Sequence, residues 1–304
     1  MTGGSGLLTL TAGHLVLDLA PEIGGCVASF RMRRPGPDST VNLMRSMPGK
    51  ALADGNAGGA SMFPMVPFAN RIIGNRFNFE GHTYQLKPNV PGEPFAIHGT
   101  GWQSKWTVAA ANEALAELRL DHSDSDGPYS YSAFQRFHLH HDRLTVTTGV
   151  TNRGNRAMPF GFGQHPGWDR QAGVTLRFRA THYWLGGSER VATERIATPP
   201  ELDFSAARHL PPAWRDNCYG GWDGRAEITF PQSGIGLRIE AASLFQHLML
   251  YCDPAKPFFC VEPQTHAAGA LNRIVENEES NLGLIVLKPN ESAEAEMSFI
   301  CFPL

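Results

Sequence analysis

The sequence has little of what marks nucleic-acid-binding or membrane proteins. Only 18% of its 304 residues are charged, the formal net charge is −3, and no run of lysines and arginines provides a basic patch. No apolar stretch is long enough to cross a bilayer. The N-terminal stretch also lacks the basic start and apolar centre of a secretory signal. We therefore expect a protein that binds neither nucleic acid nor membrane.

Cysteine is sparse and scattered. The five cysteines form no Cys-x-x-Cys pair, so the sequence predicts neither a disulfide framework nor a structural zinc site. Several lie in apolar runs, where cysteine behaves as a small hydrophobic residue. Such usage fits a reducing cytoplasm, which is the predicted location.

One histidine-rich run could in principle bind a metal. His138 and His140 share a strand face at i, i+2, and His141 follows them. A complete site would also need a carboxylate and a distant histidine at matched spacing. Because the run stands beside an Asp142-Arg143 turn, a solvated hairpin end is the favoured interpretation. We predict no metal site and no cofactor.

Helical periodicity is almost absent, whereas alternating strands recur along the chain. "LLTLTAGHLVLDL", "AEITFPQSGIGLRIEA" and "YSAFQRFHLHHDRLTVTTGVTN" alternate apolar and polar residues around turns. The 42% of hydrophobic residues is ample for a large core. The sequence has no repeat and no linker-like stretch. It predicts an all-β fold of two large packed antiparallel sheets with few short helices, in one domain over residues 1–304.

Five segments fit neither simple strands nor simple turns. They are "FPMVPFANRIIGN", "AIHGTGW", "FGFGQHPGWD", "RDNCYGGWDG" and "FFCVEPQTH". Together they supply carboxylates, histidines, an Asn-Arg pair and tryptophans, which suit the hydroxyls and the apolar face of a sugar. A phosphate site would need a glycine-rich loop opening a helix or a basic cluster, and the sequence has neither. The candidate residues are Asn70, Arg71, His98, His165, Trp168, Asp216 and Glu262.

Glu262 is the most unusual of these residues, because it follows four apolar residues, Phe258 to Val261, and precedes a proline. An unpaired buried charge is costly, so this carboxylate either forms a structural ion pair or serves as a poised base in a cleft. The other candidates also have structural alternatives. Each histidine could hold a loop, Asn70-Arg71 could close a turn, and Trp168 could pack in the core.

The five segments, in this order from about residue 7 to the C-terminus, resemble the aldose 1-epimerase (galactose mutarotase-like) family. The resemblance is carried by "PFANRI", "IHG", "GFGQHPGW" and "VEPQTH". It implies a β-supersandwich, a small-molecule aldose as substrate, interconversion of its α and β anomers, and a monomer or homodimer. It assigns Glu262 as the base that takes the proton of the anomeric hydroxyl and His165 as the acid that protonates the ring oxygen.

The resemblance also implies a set of substrate-binding residues. Asn70, Arg71, His98 and Asp216 would hold the sugar hydroxyls, with Asp223 as the alternative to Asp216. Independently of the resemblance, Trp168 is predicted to bind substrate because a tryptophan can stack on the apolar face of a sugar. The sequence departs from the Asn-His-x-Tyr-Phe-Asn-Leu form of typical galactose mutarotases, since "QHPGWD" stands there instead. The identity of the sugar therefore stays open. The alternatives are a sugar-phosphate 1-epimerase, a glycoside hydrolase using two carboxylates, and a non-catalytic sugar-binding protein.

Overall fold

A computed structural model describes residues 6–36, 39–123, 127–186, 192–274 and 282–304 of the chain. Strands dominate these ranges, which confirms the predicted all-β class. Residues 1–5, part of the N-terminal stretch that the sequence suggests is not a leader, lie outside them. No helix within the described ranges is long and apolar enough to cross a membrane.

The strands of the first half are β1 (Leu8–Ala12), β2 (Leu15–Ala20), β3 (Cys26–Arg33), β4 (Thr40–Asn42), β5 (Met62–Met65), β6 (Arg71–Ile72), β7 (Arg76–Phe79), β8 (His82–Gln85), β9 (Ala96–Ile97), β10 (Thr107–Ala111), β11 (Leu115–Ser123), β12 (Ser130–Leu139) and β13 (Arg143–Asn152). Those of the second half are β14 (Met158–Phe160), β15 (Gly163–Asp169), β16 (Thr175–Phe178), β17 (His182–Gly186), β18 (Ala192–Ile196), β19 (Arg208–His209), β20 (Arg215–Gly220), β21 (Arg225–Phe230), β22 (Ile235–Ala241), β23 (His247–Cys252), β24 (Phe258–Gln264), β25 (Ile285–Leu287) and β26 (Ser292–Pro303).

Helices are short and lie in the connections. The α-helices in the described residues are α1 (Gly49–Ala53) and α2 (Ala270–Arg273). The 3₁₀ helices are Ala57–Gly59, Ile73–Asn75, Gly101–Gln103, Pro200–Leu202 and Pro231–Ser233.

Two large antiparallel sheets organise the described chain. The large sheet has eleven strands in the order β1-β2-β3-β5-β15-β24-β23-β20-β17-β18, with β4 added beside β3. The second sheet has nine strands in the order β10-β11-β12-β13-β26-β22-β21-β16-β19. Small hairpins and pairs, β14-β25, β6-β9 and β7-β8, extend from this frame.

Apolar alternation explains how the two sheets meet. In β12 every second residue is buried, as expected for a strand with one face on the core and one toward solvent. Trp168 of the large sheet packs 6.1 Å from Phe299 of the second sheet, measured between ring centroids. The Gln164 amide also crosses between the sheets, because its Nε2 donates to Gln135 Oε1 at 3.0 Å and to Thr148 Oγ1 at 2.9 Å.

The central strands of the large sheet are buried on both faces. All but the first residue of β24 are buried, as are most residues of β15. One face lies against the second sheet, and chain connections cover part of the other. This double burial explains why "FFCV" at the start of β24 is a continuous apolar run rather than an alternating one.

The histidine-rich run lies where the sequence predicted it, at the end of a hairpin. β12 ends at Leu139 and β13 begins at Arg143. The His138 and His140 rings are 3.9 Å apart, and both side chains have access to solvent.

Candidate active site

The register of three central strands brings the two most unusual candidates face to face. In the β15-β24 pair, Gly163 lies opposite Gln264 and Gly167 opposite Cys260. The same register places His165 opposite Glu262. On the other side of β15, Phe63 of β5 lies opposite His165. Because side chains alternate along a strand, His165 and Glu262 project from the face of the sheet that is turned away from the core.

Glu262 and His165 are in direct contact. His165 Nε2 lies 3.2 Å from Glu262 Oε1, and only 3% of the Glu262 surface is exposed. The Phe63 ring stacks on the imidazole with 4.4 Å between centroids, which fixes the plane of the ring. The sequence thus places a carboxylate and an imidazole within proton-transfer distance on rigid strands.

The surroundings of this pair shift both pKa values toward the neutral forms. Burial, and secondarily the Asp216 carboxylate, raise the pKa of Glu262 well above its usual range, against a lowering by the Arg71 guanidinium. Burial and the nearby Arg45 lower the pKa of His165 to about 3. Near neutral pH the His165 imidazole is therefore neutral, and burial favours the protonated form of Glu262.

A buried arginine connects the candidate pair to two further carboxylates. Arg71 begins β6, and its guanidinium lies 3.0 Å from Glu93 Oε2 and 3.6 Å from Asp216 Oδ2. Asp216 is therefore brought to the site. Asp223 is not, since its carboxylate accepts a hydrogen bond from the Arg225 backbone in the turn after β20.

Asn70 and His98 hold each other through two hydrogen bonds, one between their backbones and one from the Asn70 backbone to the His98 ring. Both adopt left-handed conformations, with φ of 61° and 59°. The His98 N–H donates to the Asn70 carbonyl at 3.0 Å, and the Asn70 N–H donates to His98 Nδ1 at 3.1 Å. Because Nδ1 accepts, the proton of the neutral imidazole lies on Nε2. Burial lowers the pKa of His98 well below its usual value, so this ring is a neutral N–H donor.

The orientation of His98 places it beside the acid–base candidates. Its ring lies 5.2 Å from the His165 ring in an edge-to-face arrangement. Such non-glycine left-handed residues are often found at functional sites, where surrounding structure holds a strained backbone. The next residue, Gly99, has φ of +67°, and a Cβ there would lie 2.3 Å from the Val66 carbonyl oxygen. The His-Gly pair of the sequence thus reflects a close approach of two loops.

Some residues of the site were missed by sequence reasoning. Glu93 holds Arg71, Phe63 stacks on His165, and the buried His266 accepts a hydrogen bond from the Ala69 N–H at 3.0 Å. Phe63 and His266 lie inside two of the five segments singled out in the sequence. Their nearness along the chain to candidate residues was the only signal for them. Glu93 lies in a loop of no distinctive pattern, and nothing in the sequence indicated it.

The prediction for Trp168 is corrected by the structure. This residue lies in β15 with its side chain on the opposite face from His165, fully buried against Phe299. A ring enclosed between two sheets cannot stack on a ligand bound beside His165 on the opposite face. Core packing, the structural alternative, is its role.

The arrangement combines groups that can move a proton with groups that can hold hydroxyls. In the described part of the chain, one group of histidine, cysteine and carboxylate side chains is also close enough together to ligate a metal: His165, Cys260 and Glu262. The remaining predicted residues, Asn70, Arg71, His98 and Asp216, surround the pair.

Comparison with known proteins agrees with this geometry. The sequence profile of the family described as aldose 1-epimerase matches residues 6–299. The Escherichia coli K12 protein YphB, itself uncharacterized, is 37% identical over 300 residues, which are 96% of this chain and 97% of YphB. The chain belongs to the aldose 1-epimerase family.

Solved structures show the same fold. A crystal structure of a candidate aldose 1-epimerase from E. coli K12 superimposes with a TM-score of 0.87 at 36% identity, covering 98% of this chain and 99% of the other. The galactose 1-epimerase of Lactobacillus acidophilus NCFM has a TM-score of 0.76 at 14% identity, with 98% and 94% covered. Because only 14% of the residues are identical, the similarity to the Lactobacillus protein shows a shared fold and nothing more.

Proposed function

We propose that this protein is an aldose 1-epimerase that interconverts the α and β anomers of a free aldose. The observation that carries the proposal is the contact between Glu262 Oε1 and His165 Nε2, 3.2 Å apart within a largely buried group of polar side chains. A pure binding protein does not need a carboxylate and an imidazole that share a proton. Family membership supports the same reaction class.

The chemistry requires one base and one acid beside the anomeric carbon. Glu262 takes the proton of the anomeric hydroxyl, the bond between C1 and the ring oxygen breaks, and His165 protonates that oxygen. The open aldehyde rotates about C1–C2 and recloses on its other face, with each proton returning along the same route. Positioned acid–base groups typically contribute about 10² to 10⁴-fold each.

The resting protonation state fits this cycle. After ring opening, Glu262 is protonated and His165 is neutral, which is the form that burial favours in the free site. Before ring opening, the proton must pass from Glu262 to His165, and their direct contact provides the route. The pKa shifts of the free site therefore favour the protonation state that follows ring opening.

The surrounding residues orient the sugar. The Arg71 guanidinium and the Asp216 carboxylate offer donors and acceptors to hydroxyls, and His98 offers its Nε2–H. Asn70 contributes by fixing the orientation of His98. Glu93 and Asp216 hold Arg71 in place, so these groups are arranged before the substrate arrives.

Polarimetry tests the proposal. Freshly dissolved α-D-glucose and α-D-galactose, with a panel of pentoses and phosphorylated hexoses, should reach their equilibrium rotation faster with the protein than without it. Methyl α-D-galactoside serves as the control, since its anomeric oxygen is blocked and its rotation should not change. Release of galactose from that glycoside would instead indicate hydrolysis by Glu262 and Asp216. No acceleration on any free sugar would leave a sugar-binding protein.

A further inference from the structure

A thiol lies directly beside the proposed acid–base pair. Cys260 precedes Glu262 by two residues on β24, so both side chains project from the same face. The residue opposite Cys260 on β15 is Gly167, and the Arg45 side chain lies over it, since a Cβ at this glycine would be 2.5 Å from Arg45 Nε. One ligand atom each of His165, Cys260 and Glu262 lies within 4.8 Å of the others.

We infer that His165, Cys260 and Glu262 form a binding site for a thiophilic divalent cation such as Zn²⁺ or Cd²⁺, and that the bound ion inhibits the protein. The nitrogen, sulfur and oxygen ligands match the protein donors that Zn²⁺ takes, with a fourth position left for water. The thiolate selects soft and borderline ions over Mg²⁺ and Ca²⁺, which prefer oxygen ligands.

The distances suit a tetrahedral ion with modest adjustment. Zn–N and Zn–O bonds of about 2.0 Å and Zn–S bonds of about 2.3 Å place neighbouring ligand atoms roughly 3.3 to 3.5 Å apart. His165 Nε2 and Glu262 Oε1 already lie 3.2 Å apart. Closing the cluster therefore requires the thiol to approach by at most about 1.3 Å, which small shifts shared among the three side chains supply.

The local charges permit the ion. The Glu262 carboxylate and the Cys260 thiolate balance its two positive charges, and Asp216 adds a third anionic group nearby. Arg71 is already paired with Glu93 at 3.0 Å, so the charge of Asp216 is not fully used in neutralising it. Burial raises the pKa of the Cys260 thiol, and the Arg45 guanidinium, which lies over Gly167 on the same face, opposes that rise while its positive charge repels the ion.

Occupation of this site and catalysis exclude each other. The ion takes the lone pairs of His165 and Glu262, while the thiol proton and the proton shared by the pair leave to solvent. A sugar then meets neither an acid nor a base. Inhibition rests on the proposed function, but binding of the ion does not.

Titration with Cd²⁺ tests binding without reference to activity, because cadmium–thiolate bonds absorb in the ultraviolet. We expect the wild-type protein to develop this absorption with one ion per chain. Cys260→Ser should abolish the band and weaken Zn²⁺ binding by roughly 100-fold or more, since even the loss of outer partners of a metal site costs 10 to 100-fold. Cys218→Ser is the matched control, because Cys218 is also buried on this face but belongs to β20, two strands from β24. That variant should keep the band.

A missing band in the wild-type protein, or one that persists in Cys260→Ser, would overturn the inference. If the chain accelerates anomer exchange, Zn²⁺ should slow the wild-type reaction and leave Cys260→Ser at its own metal-free rate. Equal inhibition of both proteins would overturn the assignment of the inhibitory site. Cadmium binding through Cys260 in a protein without anomer exchange would count against the proposed function alone.

Discussion

The large sheet contains two buried carboxylates in opposite situations. Asp18 on β2 accepts hydrogen bonds from Thr9 Oγ1 and Ser29 Oγ, both at 2.7 Å, and pairs with Arg31. Burial alone would raise its pKa, but these donors lower it below the usual value. Glu262 on β24 has an imidazole as its neighbour, and its pKa is raised well above the usual value.

The difference separates a structural carboxylate from one suited to chemistry. Asp18 is surrounded by donors that stabilise its charged form, so its proton is absent across the physiological range. Burial and the Asp216 carboxylate raise the pKa of Glu262 by more than the Arg71 guanidinium lowers it, so the protonated form of Glu262 is favoured. Burial is common to both carboxylates, and the number of donors around each decides its role.

The largest expected effect follows from removing the exchangeable proton. Glu262→Gln should reduce the catalysed rate of anomer exchange by about 10² to 10⁴-fold, because the amide cannot accept the hydroxyl proton. The same variant should unfold at a higher temperature than the wild type at neutral pH, because it removes a carboxyl group that burial disfavours in its charged form. Polarimetry and thermal unfolding on one preparation measure both. A lower unfolding temperature would contradict the contrast with Asp18.

A smaller effect is expected from the arginine beside the pair. Arg71→Lys keeps the charge but cannot span Glu93 and Asp216 with a planar fork. Loss of one charged hydrogen bond to the substrate typically costs about 1.5 to 3 kcal/mol, so kcat/KM should fall by roughly 10 to 100-fold, mainly through KM. Steady-state kinetics with α-D-galactose check this. Arg31→Lys is the control at the structural carboxylate, and a similar loss of kcat/KM there would show that the effect is not local.

Removing the charge of the structural carboxylate should affect stability and leave catalysis intact. Asp18→Asn leaves Arg31 without its ionic partner, and the free energy of unfolding should fall by about 1 to 3 kcal/mol. The rate of anomer exchange should stay close to the wild-type value. Urea unfolding and polarimetry measure the two quantities. An unchanged free energy of unfolding would remove the basis for calling Asp18 structural.

The two carboxylates should also give opposite pH dependences of stability. The folded-state pKa of Glu262 is raised, so its contribution is complete below the unfolded pKa and decreases as pH rises through the folded value. The folded-state pKa of Asp18 is lowered, so its contribution is present above the unfolded pKa and is lost as pH falls. The advantage of Glu262→Gln over wild type in thermal unfolding should therefore grow from acid toward neutral pH. The deficit of Asp18→Asn should shrink toward acid pH, and parallel curves for the two variants would contradict both assignments.

The sequence predicted the fold class because period-2 alternation and turn residues are local signals. β1, β2, β12 and β13 follow directly from such patterns. The site was harder, since no local signal shows that residues 70, 98, 165, 216 and 262 converge. Their grouping came from the order of five segments and the family that those segments resemble.

The failures have physical reasons. Trp168 lies only three residues from His165, but an odd spacing along a strand places the two side chains on opposite faces. Because β15 is buried on both faces, its sequence does not alternate between apolar and polar residues, and the pattern could not show which side chains share a face. Glu93 was missed because its role depends on a loop that brings it to Arg71, and Cys260 was taken only as a small hydrophobic residue.

The most direct measurement is magnetisation exchange between the α and β anomeric protons of galactose, recorded with wild type, Glu262→Gln, His165→Gln and the double variant. If the two side chains act as one proton-sharing pair, each single variant should lose about 10² to 10⁴-fold in rate. The double variant should then lose no more than the worse single one, because residues that act as a unit are not additive. Multiplied losses in the double variant, or no exchange above background with wild type, would contradict a shared-proton mechanism at Glu262 and His165.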